Sequence, residues 1–375
     1  MIRLGARHHP KGICPLLLAL TIAVAVVLGG PAMAQAGARR VIVLPFDASS
    51  LGPGDQWVGE GVAQSISLGL TQHPAFVQIE RARLETAPTA SLSNEELLSK
   101  AARDAHVDSV LYGRIDRQDS GIVLQPFLLH LGQLEARRIS LSPITIGPGD
   151  FLPRAAMLPA AYARTLDIGL TADESVRIAK AAQPTGSLRA FELFARAQLI
   201  RYTEGANDRV IALLLQALQS DPNFVVAQYT LASVQLALGN RARAAELFWD
   251  SVKLDRRMPE PYKSLGDLFL RARRPLVDAA IEAYSKAIDL RPFYFDAHVG
   301  LGDAKLAQGS LEGAVAAYQR AVALDPFRAE PYLKLARLYA QSGRCVDAVN
   351  VFRQAVEVDP RLSAMTEEVC SPSTP

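Results

Sequence analysis

The chain has 375 residues, 49% of them hydrophobic, which is enough for two or three domains with buried cores. Its formal charge is +2; the first 36 residues hold three cations, Arg3, Arg7 and Lys11, and no acid, so the rest carries −1 and presents no global field for nucleic acid. Three cysteines are too few for a disulfide-built fold.

Within residues 1–36 the cations precede an apolar run from Leu16 to Leu28 and then small residues, with Ala32-Met33-Ala34 and Ala34-Gln35-Ala36 both of the A-x-A form. That is the layout of a secretory signal peptide, whose apolar run is too short to cross a bilayer comfortably. Export to the periplasm is expected, with cleavage after Ala34 or Ala36 and no stable membrane span afterwards. The alternative is an uncleaved inner-membrane anchor facing the periplasm, against which Gly29, Gly30 and Pro31 interrupt the helix. Cys14 lies before the apolar run, the wrong side for lipid attachment. Cys345 and Cys370 remain, and both a C-terminal staple and two separate thiols are open.

Residues 38–168 read as an α/β domain. "RRVIVLPFD" gives a buried strand from Val41 to Leu44 or Phe46. After a Gly/Pro turn, a helix begins near Trp57 with Val58, Val62, Ile66 and Leu70 on one face. A short strand at Val77 to Ile79 follows, then a helix over "NEELLSKAARDA" with Ser93 and Glu96 as its capping box. "VDSVLYGRI" and "GIVLQPFLLHL" are successive strands, "EARRISLS" a further one, and Asp150 is expected to cap a single last helix, "FLPRAAMLPAAYARTL". This order places helices over one or both faces of a small sheet.

These stretches, above all "VIVLPFDASSLGPGDQWVGEGVAQSISLGL", "VQIERARL" and "AHVDSVLYGRIDRQDSGIVLQPFLLHL", resemble the TolB N-terminal-like α/β domain of bacterial envelope proteins. The resemblance spans about 90 residues. It implies an α/β sandwich and an envelope setting, and it carries no catalytic residues across. The glycines of "GPGDQWVGEG" stand where a phosphate loop would lie, but Gly-Lys-Ser/Thr is absent and Asp55 and Glu60 would repel phosphate. A tight turn, with Gly59 or Gly61 allowing helix and sheet to approach, is the better reading.

Thr171 and Glu174 form a second capping box, opening a short helix in the linker 169–187, and "QPTGS" ends it. From there the chain repeats. Pro222, Arg256, Pro292, Pro326 and Pro360 mark unit ends at spacings of 34, 36, 34 and 34 residues. Leu231-Ala232, Leu265-Gly266, Leu301-Gly302 and Leu335-Ala336 recur in the first helix of each unit. Ala244, Ala280, Ala314 and Ala348 recur in the second, each followed four residues on by Phe248, Tyr284, Tyr318 or Phe352. Gly239, Gly309 and Gly343 fall where the first helix must stop. The pattern resembles the tetratricopeptide (TPR) repeat. It gives units at 188–222, 223–256, 257–292, 293–326 and 327–360, the first of them the weakest, with a partial capping helix in 361–375. The expected fold class is thus α/β plus all-α, a small TolB N-terminal-like sandwich followed by a TPR helical superhelix.

After removal of residues 1–36 the histidines are His73, His106, His130 and His298, none paired at metal-ligand spacing, and no nucleophile, metalloprotease or cofactor motif is present. The expectation is therefore no enzyme, no cofactor and no metal. The resemblance implies a concave groove lined by first helices, which places Tyr229, Lys263, Asp267, Asp303, Leu333 and Arg337 on a peptide-binding face, with Lys263 and Arg337 expected to be exposed. The function that follows is a periplasmic scaffold or adaptor for a protein or extended peptide of the cell envelope. A ligand-binding or sensory role centred on the first domain is the alternative.

Overall fold

Alternate burial sets up the first layers. In the computed structural model, which describes residues 38–84, 95–118, 121–132, 135–147 and 149–368, β1 (Arg39–Val43) lies inside a six-stranded sheet. β2 (Phe76–Gln78) and β3 (Ser109–Gln118) flank it in parallel; β4 (Gly121–Leu131) and β5 (Ala136–Ser140) continue antiparallel. Val41 and Val43 point into one core, with Val62, Ile66 and Leu70 of α1 (Trp57–Leu70), whereas Ile42 and Leu44 join Leu98 and Ala102 of α2 (Glu95–Asp104) in another. Helices therefore cover both faces of the sheet. Gly59 permits the approach of α1, since a Cβ there would lie 2.0 Å from the Phe46 carbonyl oxygen.

The sequence reading and the structure differ at two places in this domain. A further strand, β6 (Ile144–Ile146), pairs with the part of β4 that the shorter β5 leaves open, after Pro143 interrupts the ladder. The single helix expected after Asp150 is two, α3 (Phe151–Ala155) and α4 (Leu158–Thr165), and the Asp150 side chain makes no capping bond. Pro159 explains the break: it has no N–H for a continuing helix and is tolerated in the first turn of a new one. From α4, the buried Tyr162 donates its hydroxyl to the carbonyls of Tyr112 (3.0 Å) and Phe127 (3.1 Å), pinning helix to sheet.

The linker helix α5 (Ala172–Ala182) has the expected capping box, with Thr171 Oγ1 accepting from the Glu174 amide and the Glu174 carboxylate accepting from the Thr171 amide. It packs on α1, as does α6 (Leu188–Glu204), so burial continues across the turn at 183–187. From Ala38 onward the chain forms one compact unit. Five antiparallel pairs complete it: α6 with α7 (Asp208–Ser220), α8 (Val225–Ala237) with α9 (Arg241–Leu254), α10 (Pro259–Leu270) with α11 (Val277–Leu290), α12 (Phe295–Ala307) with α13 (Leu311–Leu324), and α14 (Ala329–Gln341) with α15 (Cys345–Val358). Gly239, Gly309 and Gly343 end their helices with φ of +85°, +84° and +71°, the left-handed geometry of a C-terminal stop. A 3-10 helix, Pro360–Glu368, packs on α15. Cys345 is disulfide-bonded. The signal segment with Cys14 and its cleavage sites, Ser93 and Cys370 lie outside the described residues. None of the described helices is long and apolar enough to cross a membrane.

Candidate protein-binding face of the repeats

Equivalent positions on successive first helices form columns. Tyr229, Lys263, Val299 and Leu333 are one; Ser233, Asp267, Asp303 and Arg337, one turn further along, are the next. The six residues singled out from sequence all belong to these two columns. The structure unites some of them and ties others inward.

Lys263 and Asp267 form an i,i+4 ion pair at 2.9 Å, with 25% and 22% of their side chains exposed. Burial works against the Lys263 charge, but Asp267 outweighs it and leaves the ammonium pKa raised. Lys263 is thus a half-buried, paired group, which corrects the expectation of a free cation. Asp267 has a second partner: Tyr284 on α11 donates its hydroxyl at 2.7 Å. Asp303 repeats the arrangement, accepting from Tyr318 on α13 at 2.7 Å and pairing with Lys334 of the next unit at 2.8 Å. Tyr229 is half-buried, its ring 5.7 Å from that of Phe248, and burial pushes its phenol above the usual value. Leu333 is half-buried; Arg337 is exposed and makes no ion pair among the described residues.

The rings explain why the aspartates sit where they do. Tyr284 lies against Gly266 and Gly300, and Tyr318 against Gly302, so closely that an added Cβ would meet the rings at 2.8, 2.3 and 2.4 Å. The residue after each first-helix glycine, Asp267 or Asp303, then faces the phenol. In the units where the small residue is Ala232 or Ala336, the partner ring is Phe248 or Phe352, without a hydroxyl, and Ser233 or Arg337 takes the aspartate's place. Gly-Asp goes with Tyr, and Ala goes with Phe.

A third column, Val226, Glu260, Asp296 and Glu330, was missed from sequence. Arg291, in the turn before α12, donates to Glu260 at 2.6 Å, and Arg328, before α14, pairs with Asp296 at 3.0 Å and Glu330 at 3.6 Å. The Arg291–Glu260 and Arg328–Asp296 pairs join α10 and α12 to the turn that opens the next unit, whereas Arg328–Glu330 is local to that turn. The signal was present as acids at 260, 296 and 330 followed about one unit later by arginine, but it appears only after the repeats are aligned. The face that results is polar, with most charges neutralised in place, apolar ground at Tyr229 and Leu333, and an outlying cation at Arg337; Val299, in the same column, is buried in the core. Among the described residues no group of three or more His, Cys, Asp or Glu side chains is placed to hold a metal.

No curated protein matches the chain. Solved structures with similar helical arrays include MamA, 26% identical over 45% of this chain and 96% of that one with a TM-score of 0.40. A MamA fragment from Desulfovibrio magneticus RS-1 is 19% identical over 47% and 97%, at 0.42. A thermophilic TPR protein from Thermus thermophilus is 23% identical over 48% and 98%, at 0.40. Residues 277–309 and 302–343 match the family described as TPR repeat, and residues 329–362 match that described as Tetratricopeptide repeat. Residues 277–362, from α11 to α15, are thus matched as tetratricopeptide repeats, and the helix pairs before them follow the same order of paired helices.

Proposed function

We propose that this chain is a non-catalytic scaffold that holds a protein or extended peptide along the first-helix face of its repeats, and that it works in the periplasm. The supporting observation is the recurrence of the same two columns on successive first helices, a linear surface suited to a linear ligand. Because Lys263, Asp267, Asp303 and Lys334 already neutralise one another, the ligand is held by apolar contact at Tyr229 and Leu333 and oriented by Arg337, with charge giving direction more than affinity. The TolB N-terminal-like reading of residues 38–168 and the envelope setting belong to the same proposal, supported by the order of strands and helices and by the signal-like residues 1–36.

The test is affinity capture of partners by the full-length secreted form, followed by direct titration of the captured partner against wild type and an Arg337→Glu, Leu333→Ser variant. Affinity should fall roughly tenfold or more, about 1.4 kcal/mol, while the circular-dichroism melt is nearly retained. An unchanged dissociation constant overturns the face assignment. Export has its own readout: intact-mass measurement should find a periplasmic N-terminus at Gln35 or Gly37, and a cytoplasmic chain retaining Met1 refutes it.

A further inference from the structure

Arg40 on β1 and Asp325, in the turn between α13 and α14, form an ion pair across 285 residues of sequence, with 4% and 2% of their side chains exposed. The turn brings Phe327 with it. The Arg40 guanidinium lies 4.9 Å from the Phe327 ring centroid, and His106 stacks on the same ring at 5.3 Å with 21° between planes. The remaining bonds hold Arg40 in place from its own domain: its Nε donates to the His106 carbonyl, and its amide donates to Asp108 at 2.8 Å. His106 takes a positive φ of 53° to present that carbonyl.

This contact differs from the junction on the α1 face of the sheet. At α1 and α6 the junction is a continuous apolar core, with Phe151, Phe191 and Phe194 packed ring to ring. At Arg40 it is a buried charge pair, in which desolvation offsets much of the attraction. Desolvation also leaves the Arg40 pKa below its usual value despite Asp325. The Nη2 of Arg40 is buried without a hydrogen-bond partner, and Phe327 is still 42% exposed. An unsatisfied guanidinium donor makes the closed state costly to hold. One end is fixed by apolar packing; the other is closed by a small polar contact that can open without loss of the core.

We propose that the Arg40 and His106 face is a recognition site for an acid-x-aromatic segment, filled in cis by Asp325-Pro326-Phe327, and that the contact is a releasable latch between the α/β domain and the repeat array. A partner presenting a carboxylate and, two residues on, an aromatic ring displaces the turn and frees the later repeats from the sheet. This holds whatever the first-helix face binds.

The experiment is hydrogen exchange on the full chain, comparing wild type with Arg40→Met, Asp325→Asn and the double variant, together with titration of a synthetic peptide of residues 321–331. In each single variant the amides of the α13–α14 turn and of the α2–β3 turn should exchange roughly tenfold faster, a loss of about 1.4 kcal/mol, while those of α8 to α11 do not change. The double variant should be no worse than the worse single variant, because both remove one contact. The peptide should bind an Asp325→Ala, Phe327→Ala chain more tightly than wild type, and Arg40→Met in that background should abolish binding. Exchange at the turn that changes only together with α8 to α11, additive single effects, or peptide affinity that ignores the turn substitutions each overturn the latch. The turn substitutions lie outside every helix, so they keep the test available if Arg40→Met fails to fold.

Discussion

Tyr284 donates its hydroxyl at 2.7 Å to Asp267 on the preceding helix, while its ring fills the space that Gly266 and Gly300 leave open on two successive first helices. One side chain thus joins three helices, α10, α11 and α12, and its phenol fixes the carboxylate that in turn holds Lys263. Packing and electrostatics on this face are therefore coupled, and a change to the ring should be felt at the charges.

Tyr284→Phe keeps the ring and removes the donor, leaving Asp267 to Lys263 and water. Since hydrogen bonds to charged groups contribute about 1.5–3 kcal/mol when buried and Asp267 is partly exposed, the expected cost is roughly 1 kcal/mol. Asp267→Ser reproduces the residue that accompanies Phe in the unit of Ser233 and Phe248. The double variant should lie closer to wild type than the sum of the two single changes, with a coupling of about 0.5 kcal/mol or more. Denaturant midpoints of the four proteins measure it, and strict additivity refutes the pairing of Gly-Asp with Tyr.

Gly300→Ala raises helix propensity by about 1 kcal/mol, yet it should destabilise. Its Cβ would stand 2.3 Å from Tyr284 Cε1 and 2.5 Å from Cζ, and the ring is buried with no space to retreat. Overpacking of this kind costs about 1–3 kcal/mol. Gly186→Ala, where nothing lies within 4 Å and φ is outside the left-handed region, is the control and should be neutral in the same chemical melts.

Much of this architecture was legible because it is periodic. The α1 face, the capping box at Thr171, and the small and aromatic positions of the repeats all leave marks at fixed spacings, whereas the run from Val41 to Leu44 is apolar throughout and shows a buried strand without showing which residue faces which core. What did not register depends on pairs distant in sequence or on competition between partners. Lys263 reads as a surface cation until Asp267 is seen one turn away with Tyr284 behind it. Arg40 and Asp325 have no spacing at all; each is an ordinary charge in its own segment. The break before Leu158 is a local signal that the single-helix reading passes over, since Pro159 stands within the run assigned to one helix.

Ion pairs in the repeats should differ in energy with burial. Arg291 is 10% exposed and Glu260 21%, so Arg291→Ala leaves a largely desolvated carboxylate without its partner and should cost about 2 kcal/mol. Arg209 and Glu204 form a pair of ordinary length, but 68% and 47% of their side chains face solvent, and Arg209→Ala should cost only about 0.2–1 kcal/mol. Urea titrations at low and high salt decide between the two behaviours: the Arg209 effect should fade in salt, and the Arg291 effect should persist. Equal costs would mean that burial does not set the energy of these pairs.

Alkali should loosen the repeats. Burial holds the phenols of Tyr229, Tyr284, Tyr294 and Tyr318 above the ordinary value of 10.0, and the carboxylates of Asp267 and Asp303 add to the effect at Tyr284 and Tyr318. A folded pKa above the unfolded one means that the native chain keeps protons which the unfolded chain releases. The resulting stability is fully present below pH 10 and is lost progressively as pH rises above it, because there the unfolded state binds fewer protons. Each such phenol steepens the decline by about 1.4 kcal/mol per pH unit while it remains protonated in the native state. Replacing Tyr284 and Tyr318 together with phenylalanine should lower stability near neutrality, yet make the fall between pH 10 and the native transition shallower by about two protons' worth. Urea midpoints taken across that range test the sign directly, and an unchanged slope would show that these two phenols are not the groups whose protons the fold retains.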